Sequence, residues 1–227
     1  MNLIDINTSQ AFLAWMECVR AISDPISYIR GARVNANALA VEYVIKNNLE
    51  GDIIEIGVWK GGSIVIMLLT LERLGIGNKH VHLYDTFEGM TPCTDSDIDL
   101  GGRRASDLIA QDPRLWLAVS ALQEVQDNIA KHTKYPSSLI HYHQGDICKN
   151  THVPDKIAFL RLDTDWYEST KCELEQFYDR VVPDGIIIID DYGHWQGCRK
   201  AVDEFLKDKP AIKIAHIDYT GIYFVKP

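Results

Sequence analysis

The chain has 227 residues, of which 46% are hydrophobic and 24% charged, and its formal net charge is −9. This length fits one sizeable domain, and the composition is typical of a globular protein rather than a disordered or fibrous one. The negative charge argues against nucleic acid as the main partner, because that binding relies on clustered Lys and Arg to neutralise phosphates.

The N-terminal segment and the cysteines bear on where the protein acts. Residues 1–19 have no basic start and no long apolar run, so the sequence predicts neither a signal peptide nor a membrane span. The five cysteines are odd in number and form no C-x-x-C pair, which favours reduced thiols over a disulfide framework. We therefore expect a cytoplasmic protein that does not bind a membrane.

Helices and strands are predicted in a regular order along the chain. Two helical segments come first, at residues 7–22 and 33–48. Five strands are then predicted, at residues 52–57, 80–85, 138–143, 156–163 and 185–190. The helices that alternate with them are predicted at residues 63–74, 116–131, 168–181 and 196–207. Two short β-rich runs, at residues 211–217 and 221–225, suggest a C-terminal antiparallel hairpin.

Continuous apolar strands that alternate with helices indicate a mostly parallel sheet covered on both faces. The predicted fold is α/β, a single domain over residues 1–227 with a doubly wound seven-stranded sheet. Residues 1–50 are predicted as an N-terminal helical cap, and the polar stretch at residues 91–113 as a lid loop. Ligands of such sheets bind beyond the carboxyl ends of the strands, so site residues are expected there.

A glycine-bearing loop follows the first strand. The segment Glu55–Ser63 reads EIGVWKGGS, and its glycines suit a turn at which the backbone approaches a ligand. Its G-x-x-x-G-G spacing is not the dinucleotide fingerprint, so the choice lies between a cofactor loop and a simple tight turn. Asp85, at the end of the second strand, is placed to bind ribose hydroxyls. Asp146, after the third strand, is placed to reach an adenine amino group or to cap the next helix.

Four aspartates follow the fourth and fifth strands: Asp163, Asp165, Asp190 and Asp191. These strands are neighbours in the usual doubly wound order, roughly 5 Å apart, so Asp163 would repel the other pair unless a cation lay between them. A hard divalent ion, with Mg²⁺ as the first choice, fits such oxygen ligands, and Asp165 could act on a substrate beside it. The alternative is that Asp190 and Asp191 cap the following helix and Asp165 is solvated.

The histidines are weaker candidates than these acids. His141 and His143 alternate along the third strand, which indicates part of an exposed face rather than a metal pair. His194 follows the second aspartate pair closely, so a role in supporting metal ligands is a hypothesis that rests on proximity.

Four blocks of sequence carry these candidates: EIGVWKGGS (55–63), YDTFEGM (84–90), LRLDTDWYEST (160–170) and PDGIIIIDDYGHWQGCRKAVDEF (183–205). They resemble the macrocin O-methyltransferase family, metal-dependent enzymes that methylate sugar hydroxyls in antibiotic biosynthesis. The resemblance spans about residues 33–205. It implies a class I, Rossmann-like methyltransferase fold, S-adenosyl-L-methionine as the methyl donor, and magnesium.

The same resemblance implies roles for individual residues. Asp163, Asp190 and Asp191 would be metal ligands, and Asp165 would be the general base. The residues implied to border the cofactor are Glu55, Gly57, Trp59, Gly61, Ser63, Asp85, Asp146 and Asp163. The N-terminal helices and the polar loop would cover the acceptor, and dimers are usual among such relatives. Thr164 stands where the sugar enzymes often have glycine, which leaves the identity of the acceptor open.

The function that we expect is methylation of a hydroxyl on a small molecule, such as a sugar or vicinal diol of a natural product. In that reaction a metal acidifies the hydroxyl while a carboxylate removes its proton. One rival is a glycosyltransferase that uses Asp163-Thr164-Asp165 to hold a metal and a nucleotide sugar. Another is a haloacid-dehalogenase-like phosphatase, which normally places its first aspartate after an early strand. A third is a methyltransferase-like domain that binds without catalysis.

Overall fold

The computed structural model describes residues 27–227 except residues 151 and 210, with side chains from residue 31 onward apart from those of residues 114 and 115. The helix predicted at residues 7–22, and with it the first part of the predicted N-terminal cap, lies outside the described residues. Within the described ranges, no helix has both the length and the apolar character needed to cross a bilayer.

Seven strands form one sheet, as the sequence predicts. They are β1 (Asp52–Ile56), β2 (Val81–Asp85), β3 (Ile140–Gln144), β4 (Ile157–Leu162), β5 (Val181–Ile189), β6 (Ala215–His216) and β7 (Ile222–Val225). Their order across the sheet is β3-β2-β1-β4-β5-β7-β6. Strands β1 to β5 pair in parallel, and β7 pairs antiparallel with both β5 and β6. The predicted α/β fold is thus confirmed.

Helices cover both faces of the sheet. They are α1 (Ser27–Lys46), α2 (Gly62–Arg73), α3 (Ala105–Gln111), α4 (Pro113–Trp116), α5 (Leu122–His132), α6 (Tyr167–Phe177) and α7 (Gln196–Leu206). On one face α2 packs against α1 and α5, and on the other α6 packs against α7. Successive strand residues alternate between the two cores, with Ile53 in the first and Ile54 in the second. Because both faces are buried, the central strands are apolar throughout.

Several element boundaries differ from the sequence predictions. The polar stretch at residues 91–113 contains α3, whose Ala105 and Leu108 are buried in the second core. Two buried residues in so short a helix are too few to give a periodic signal. The helix predicted at residues 116–131 begins only at Leu122, because Ala118 has a φ of 46° and interrupts the helical backbone.

Strand β5 starts earlier than predicted, at Val181 rather than at residue 185. The preceding helix was predicted to end at residue 181, but α6 ends at Phe177. Val181 instead pairs with Ile157 of β4, and Pro183 lacks the N–H group that a continuing helix would need. The long β5 therefore pairs with β4 at Val181 and again from Ile186 to Ile189, with a register shift between the two parts.

The prediction of reduced thiols is wrong for two cysteines. Cys148 and Cys172 form a disulfide across a sequence separation of 24 residues. This bond joins the short 3-10 turn Ile147–Lys149, which follows β3, to helix α6. Cys93 and Cys198 are free. The pairing carries no local sequence motif, because only the fold brings the two segments together.

Candidate active site

The strands β1, β4 and β5 end at the same position across the sheet. Ile56 is paired with Leu162, and Leu162 with Ile189. The backbone N–H of Asp163 donates to the oxygen of Ile56 at 2.9 Å, and that of Asp190 to the oxygen of Leu162 at 3.0 Å. The two acidic segments therefore emerge side by side, as expected from the predicted strand order.

A cavity of about 410 Å³ opens at this edge of the sheet. Its walls include Gly57 and Trp59 after β1, Asp85 at the end of β2, and Asp163 and Asp165 after β4. Its volume lies in the range of small-molecule and cofactor sites. The fold thus brings five of the predicted site residues to one cavity.

The glycine loop forms one wall of the cavity. Gly57 has a φ of 80°, and a Cβ atom there would lie 2.1 Å from the backbone oxygen of Asp163, so only glycine fits. Gly61, with the same φ, is the N-cap of α2, and its missing side chain leaves room for Val125. Ser63 lies in the first turn of that helix. Glu55 is buried at the end of β1, with 1% of its surface exposed.

Asp85 and Asp146 make backbone contacts. The carboxylate of Asp85 accepts hydrogen bonds from the N–H groups of Val58 at 2.8 Å, Trp59 at 3.0 Å and Phe87 at 2.8 Å. Asp146 caps the 3-10 turn by accepting from the N–H of Cys148 at 3.0 Å, which is the capping role that the sequence allows. Asp85 is held rigidly in the cavity wall, and the nucleoside contacts of both residues stay predictions.

Three carboxylates meet beside the cavity, and we call Asp163, Asp165 and Asp191 the acid cluster. Each offers an oxygen within 4.8 Å of the others. The Oδ2 atom of Asp191 is buried without a hydrogen-bond partner among the described residues. Asp165 has a φ of 67°, a strained conformation for a residue other than glycine, and so does not continue the extended segment assumed from the sequence. This left-handed turn brings its carboxylate to the cluster.

Asp190, predicted as the third metal ligand, faces two arginines. Its Oδ1 accepts from Nη2 of Arg161 at 2.5 Å, and its Oδ2 binds Nη1 of Arg33. Arg33 also donates from Nε to Asp218 at 3.0 Å. In this structure Asp165, rather than Asp190, thus completes the group with Asp163 and Asp191. The ligand role of Asp190 stays a prediction.

Arg161 is the functional residue that the sequence analysis missed. It is 3% exposed, and its Nη1 binds Glu55 and, at 2.6 Å, Asp163. One guanidinium group therefore contacts the ends of β1, β4 and β5. The signal was present in the sequence, because a charged residue inside the apolar strand IAFLRL needs buried counter-charges.

The carboxyl groups of the site differ in acidity. Burial, reinforced by the charge of Asp163, raises the pKa of Asp165 to about 7. Burial likewise raises the pKa of Asp191, with a further contribution from Asp165. Burial also opposes ionisation of Asp190, but Arg161 and Arg33 outweigh it and lower the pKa of that group. The acid cluster is therefore costly to ionise unless further positive charge is present.

An indole group orients Asp165. Nε1 of Trp195 donates to Oδ2 of Asp165 at 3.0 Å, and Trp195 itself is 1% exposed. The ring of His194 packs edge-on against Trp195, with 5.0 Å between the ring centroids. His194 thus contacts the residue that holds Asp165, while its proposed support of a metal stays a prediction.

Replacing Arg161 with methionine is expected to lower the free energy of unfolding by about 3–5 kcal/mol, because buried carboxylates lose their shared counter-charge. Urea unfolding at pH 8 measures this. Arg180→Met is the matched control, since Arg180 forms an exposed ion pair with Asp155 at 3.5 Å. That variant should lose less than about 1 kcal/mol. An equal decrease in the free energy of unfolding of the two variants would contradict the role of Arg161 as the shared counter-charge of the buried carboxylates.

Comparison with known proteins gives a consistent result. The family model described as Macrocin-O-methyltransferase (TylF) matches residues 25–226. The demethyldecarbamoylnovobiocin O-methyltransferase of Streptomyces niveus is 33% identical over 188 residues, which are 81% of this chain and 69% of that protein. The mycinamicin III 3''-O-methyltransferase of Micromonospora griseorubida is 30% identical over 198 residues, 85% of this chain and 75% of that protein. Among solved structures, the O-methyltransferase NovP aligns with a TM-score of 0.75 and 29% identity, over 86% of this chain and 79% of that chain.

Proposed function

Because the chain belongs to the macrocin O-methyltransferase family, we propose that it methylates a hydroxyl of a sugar or vicinal diol with Mg²⁺ bound beside Asp165 by Asp163, Asp190 and Asp191. Its fold and family are those of S-adenosyl-L-methionine-dependent O-methyltransferases. The relatives are named for antibiotic substrates, and one from Streptomyces olivaceus is named for a rhamnosyl group of a tetracenomycin. These names support a hydroxylated natural product as the acceptor.

One observation carries the metal part of this proposal: Asp163 and Asp165 line the cavity, and Asp191 offers a carboxylate oxygen within 4.8 Å of theirs. Carboxylate oxygens are hard donors of the kind that Mg²⁺ prefers, and the buried Oδ2 of Asp191 has no other partner among the described residues. The proposed ligands are Asp163, Asp191 and Asp190. For Asp190 to take part, one of its oxygens would have to exchange an arginine for the ion.

The proposed reaction is a displacement at the methyl carbon, in which an oxygen–carbon bond forms while the sulfur–carbon bond breaks. The metal, when bound, would acidify and position the acceptor hydroxyl. Asp165 is the proposed base that takes the hydroxyl proton. Burial raises the pKa of Asp165 to about 7 before a cation binds, and a base works best when its pKa lies near the working pH. The hydrogen bond from Trp195 keeps the Asp165 carboxylate in place.

The rivals based on the D-x-D sequence do not agree with the comparisons. A glycosyltransferase and a phosphatase would both need a different family from the one that matches residues 25–226. A non-catalytic domain is disfavoured by relatives that are named as O-methyltransferases. A homodimer and a cytoplasmic location stay predictions from the sequence.

Calorimetry with S-adenosylhomocysteine, with and without Mg²⁺, followed by a screen of vicinal diols and catechols, tests the proposal. We expect the nucleoside to bind and at least one diol to be methylated in the presence of Mg²⁺. The Asp191→Asn variant should still bind the nucleoside but lose the effect of Mg²⁺, because it removes a proposed ligand. Binding of a nucleotide sugar without binding of S-adenosylhomocysteine would contradict the proposal.

A further inference from the structure

A group of histidines lies on the sheet away from the acid cluster. His82 of β2 is directly opposite His141 of β3, and Tyr84 is opposite His143. Their side chains therefore share one face at the edge of the sheet, where β3 is the outer strand. His152, which follows β3 in the chain, stacks on His143 with 4.7 Å between the ring centroids. The fold thus gathers imidazoles from separate segments.

Three of these side chains are spaced like the ligands of a metal ion, and we call His82, His143 and His152 the histidine cluster. Each offers a ring nitrogen, and these nitrogens lie within 4.8 Å of one another. Nδ1 of His82 is 3.0 Å from Nε2 of His143. His152 is exposed, so its ring is free to turn from its stacked position toward the other two. Three imidazoles are borderline donors, which suit Zn²⁺ rather than Mg²⁺.

The contact between Asp52 and His82 is independent evidence for a metal site. Its Oδ2 lies 3.1 Å from Nε2 of His82, and a carboxylate only accepts hydrogen bonds, so Nε2 carries the proton of a neutral His82. The lone pair is then on Nδ1, which in this structure accepts a hydrogen bond from Nε2 of His143 at 3.0 Å, and a bound ion would replace the shared proton. Metal-binding histidines commonly donate their second ring N–H to a carboxylate in this way. His82 is 6% exposed, so its orientation is fixed by packing as well.

We propose that the histidine cluster binds one zinc ion, with Asp52 orienting His82. The fourth ligand position of a tetrahedral ion would be left for solvent. The ion would join the segment that carries His152 to the edge of the sheet. That segment is already linked to the cavity wall, because the hydroxyl of Tyr84 donates to the backbone oxygen of His152 at 3.1 Å. Tyr84 lines the cavity and stacks on His143 at 4.2 Å, so the ion would stabilise this wall.

The test is a calorimetric titration of metal-depleted protein with ZnCl₂. Excess Mg²⁺ is present throughout, so that it occupies the acid cluster and zinc does not bind there. The wild-type protein should bind one zinc ion through the histidine cluster. His143→Gln and His152→Gln should lose this binding, whereas Asp52→Asn should weaken it by roughly 10–100-fold. His216→Gln is the matched control, an exposed histidine on β6 that should keep full affinity.

Thermal unfolding separates a lost ligand from a lost fold. Zinc should raise the Tm of the wild type and of His216→Gln but not that of His152→Gln, whose side chain is exposed and outside the two hydrophobic cores. Asp191→Asn should retain the zinc ion, because it alters only the acid cluster. The proposal is overturned if the wild type binds zinc no more tightly than His143→Gln does, or if Asp191→Asn is the variant that loses it.

Discussion

Replacing Asp165 with asparagine is expected to lower the turnover number by roughly 10²- to 10⁴-fold, the usual scale for a lost general base. The amide has the shape of the carboxylate and can still accept the hydrogen bond from Trp195, so the local structure should persist. It cannot accept the hydroxyl proton at neutral pH. Single-turnover rates with an acceptor identified in the diol screen would measure the effect, and affinity for S-adenosylhomocysteine should stay unchanged.

A matched control exists for this substitution. Asp184 also has a positive φ, 63°, but it is exposed and belongs to β5 at the opposite end from the acidic residues. Asp184→Asn therefore tests the same change in a similar backbone conformation without touching the cavity, and it should leave turnover unaltered. Near-normal turnover of Asp165→Asn would remove that residue from the proposed mechanism.

Chelation is expected to abolish methyl transfer, and added Mg²⁺ to restore it. Without a cation, burial and mutual repulsion favour the protonated forms of the carboxyl groups in the acid cluster, so the site neither positions nor acidifies a hydroxyl. Activity should be measured in excess EDTA and again after Mg²⁺ is supplied in excess over the chelator. Full activity in EDTA would exclude a metal from the reaction.

The two proposed ions can be told apart in this experiment, because EDTA also removes zinc. His152→Gln should respond to EDTA and Mg²⁺ as the wild type does, because the replaced residue lies outside the acid cluster. Asp191→Asn should recover little activity when Mg²⁺ is added. If His152→Gln instead failed to recover, the loss of activity on chelation would not report on the acid cluster.

The sequence predicts the parts of the site that depend on strand order. Apolar strands that end in acids identify Asp163 and Asp190 as neighbours, because parallel strands share their carboxyl ends. The observed pairing of Leu162 with Ile189 agrees with that expectation. The glycine of the first loop was also identifiable, since Gly57 is required by a close backbone approach that such loops commonly make.

The remaining features depend on contacts between distant segments. Arg33 lies on α1 and reaches Asp190 across a separation of 157 residues, which no local pattern signals. The pairing of Cys148 with Cys172 depends in the same way on where α6 packs. The left-handed conformation of Asp165 decides which acids meet, and a backbone angle of this kind is set by packing around the turn. Neither residue composition nor motif spacing predicts these long-range contacts or this backbone angle.

The absence of a side chain at Gly57 has a thermodynamic consequence for the enzyme. Because Gly57 has no side chain, the glycine loop lies directly on the backbone of Asp163. A shift of either segment therefore displaces the other. Binding of the methyl donor in the cavity and binding of a metal ion at the acid cluster should then be linked equilibria. Linkage requires each ligand to change the affinity for the other by the same factor. Titrating each ligand in the presence and absence of the other should therefore give equal coupling factors.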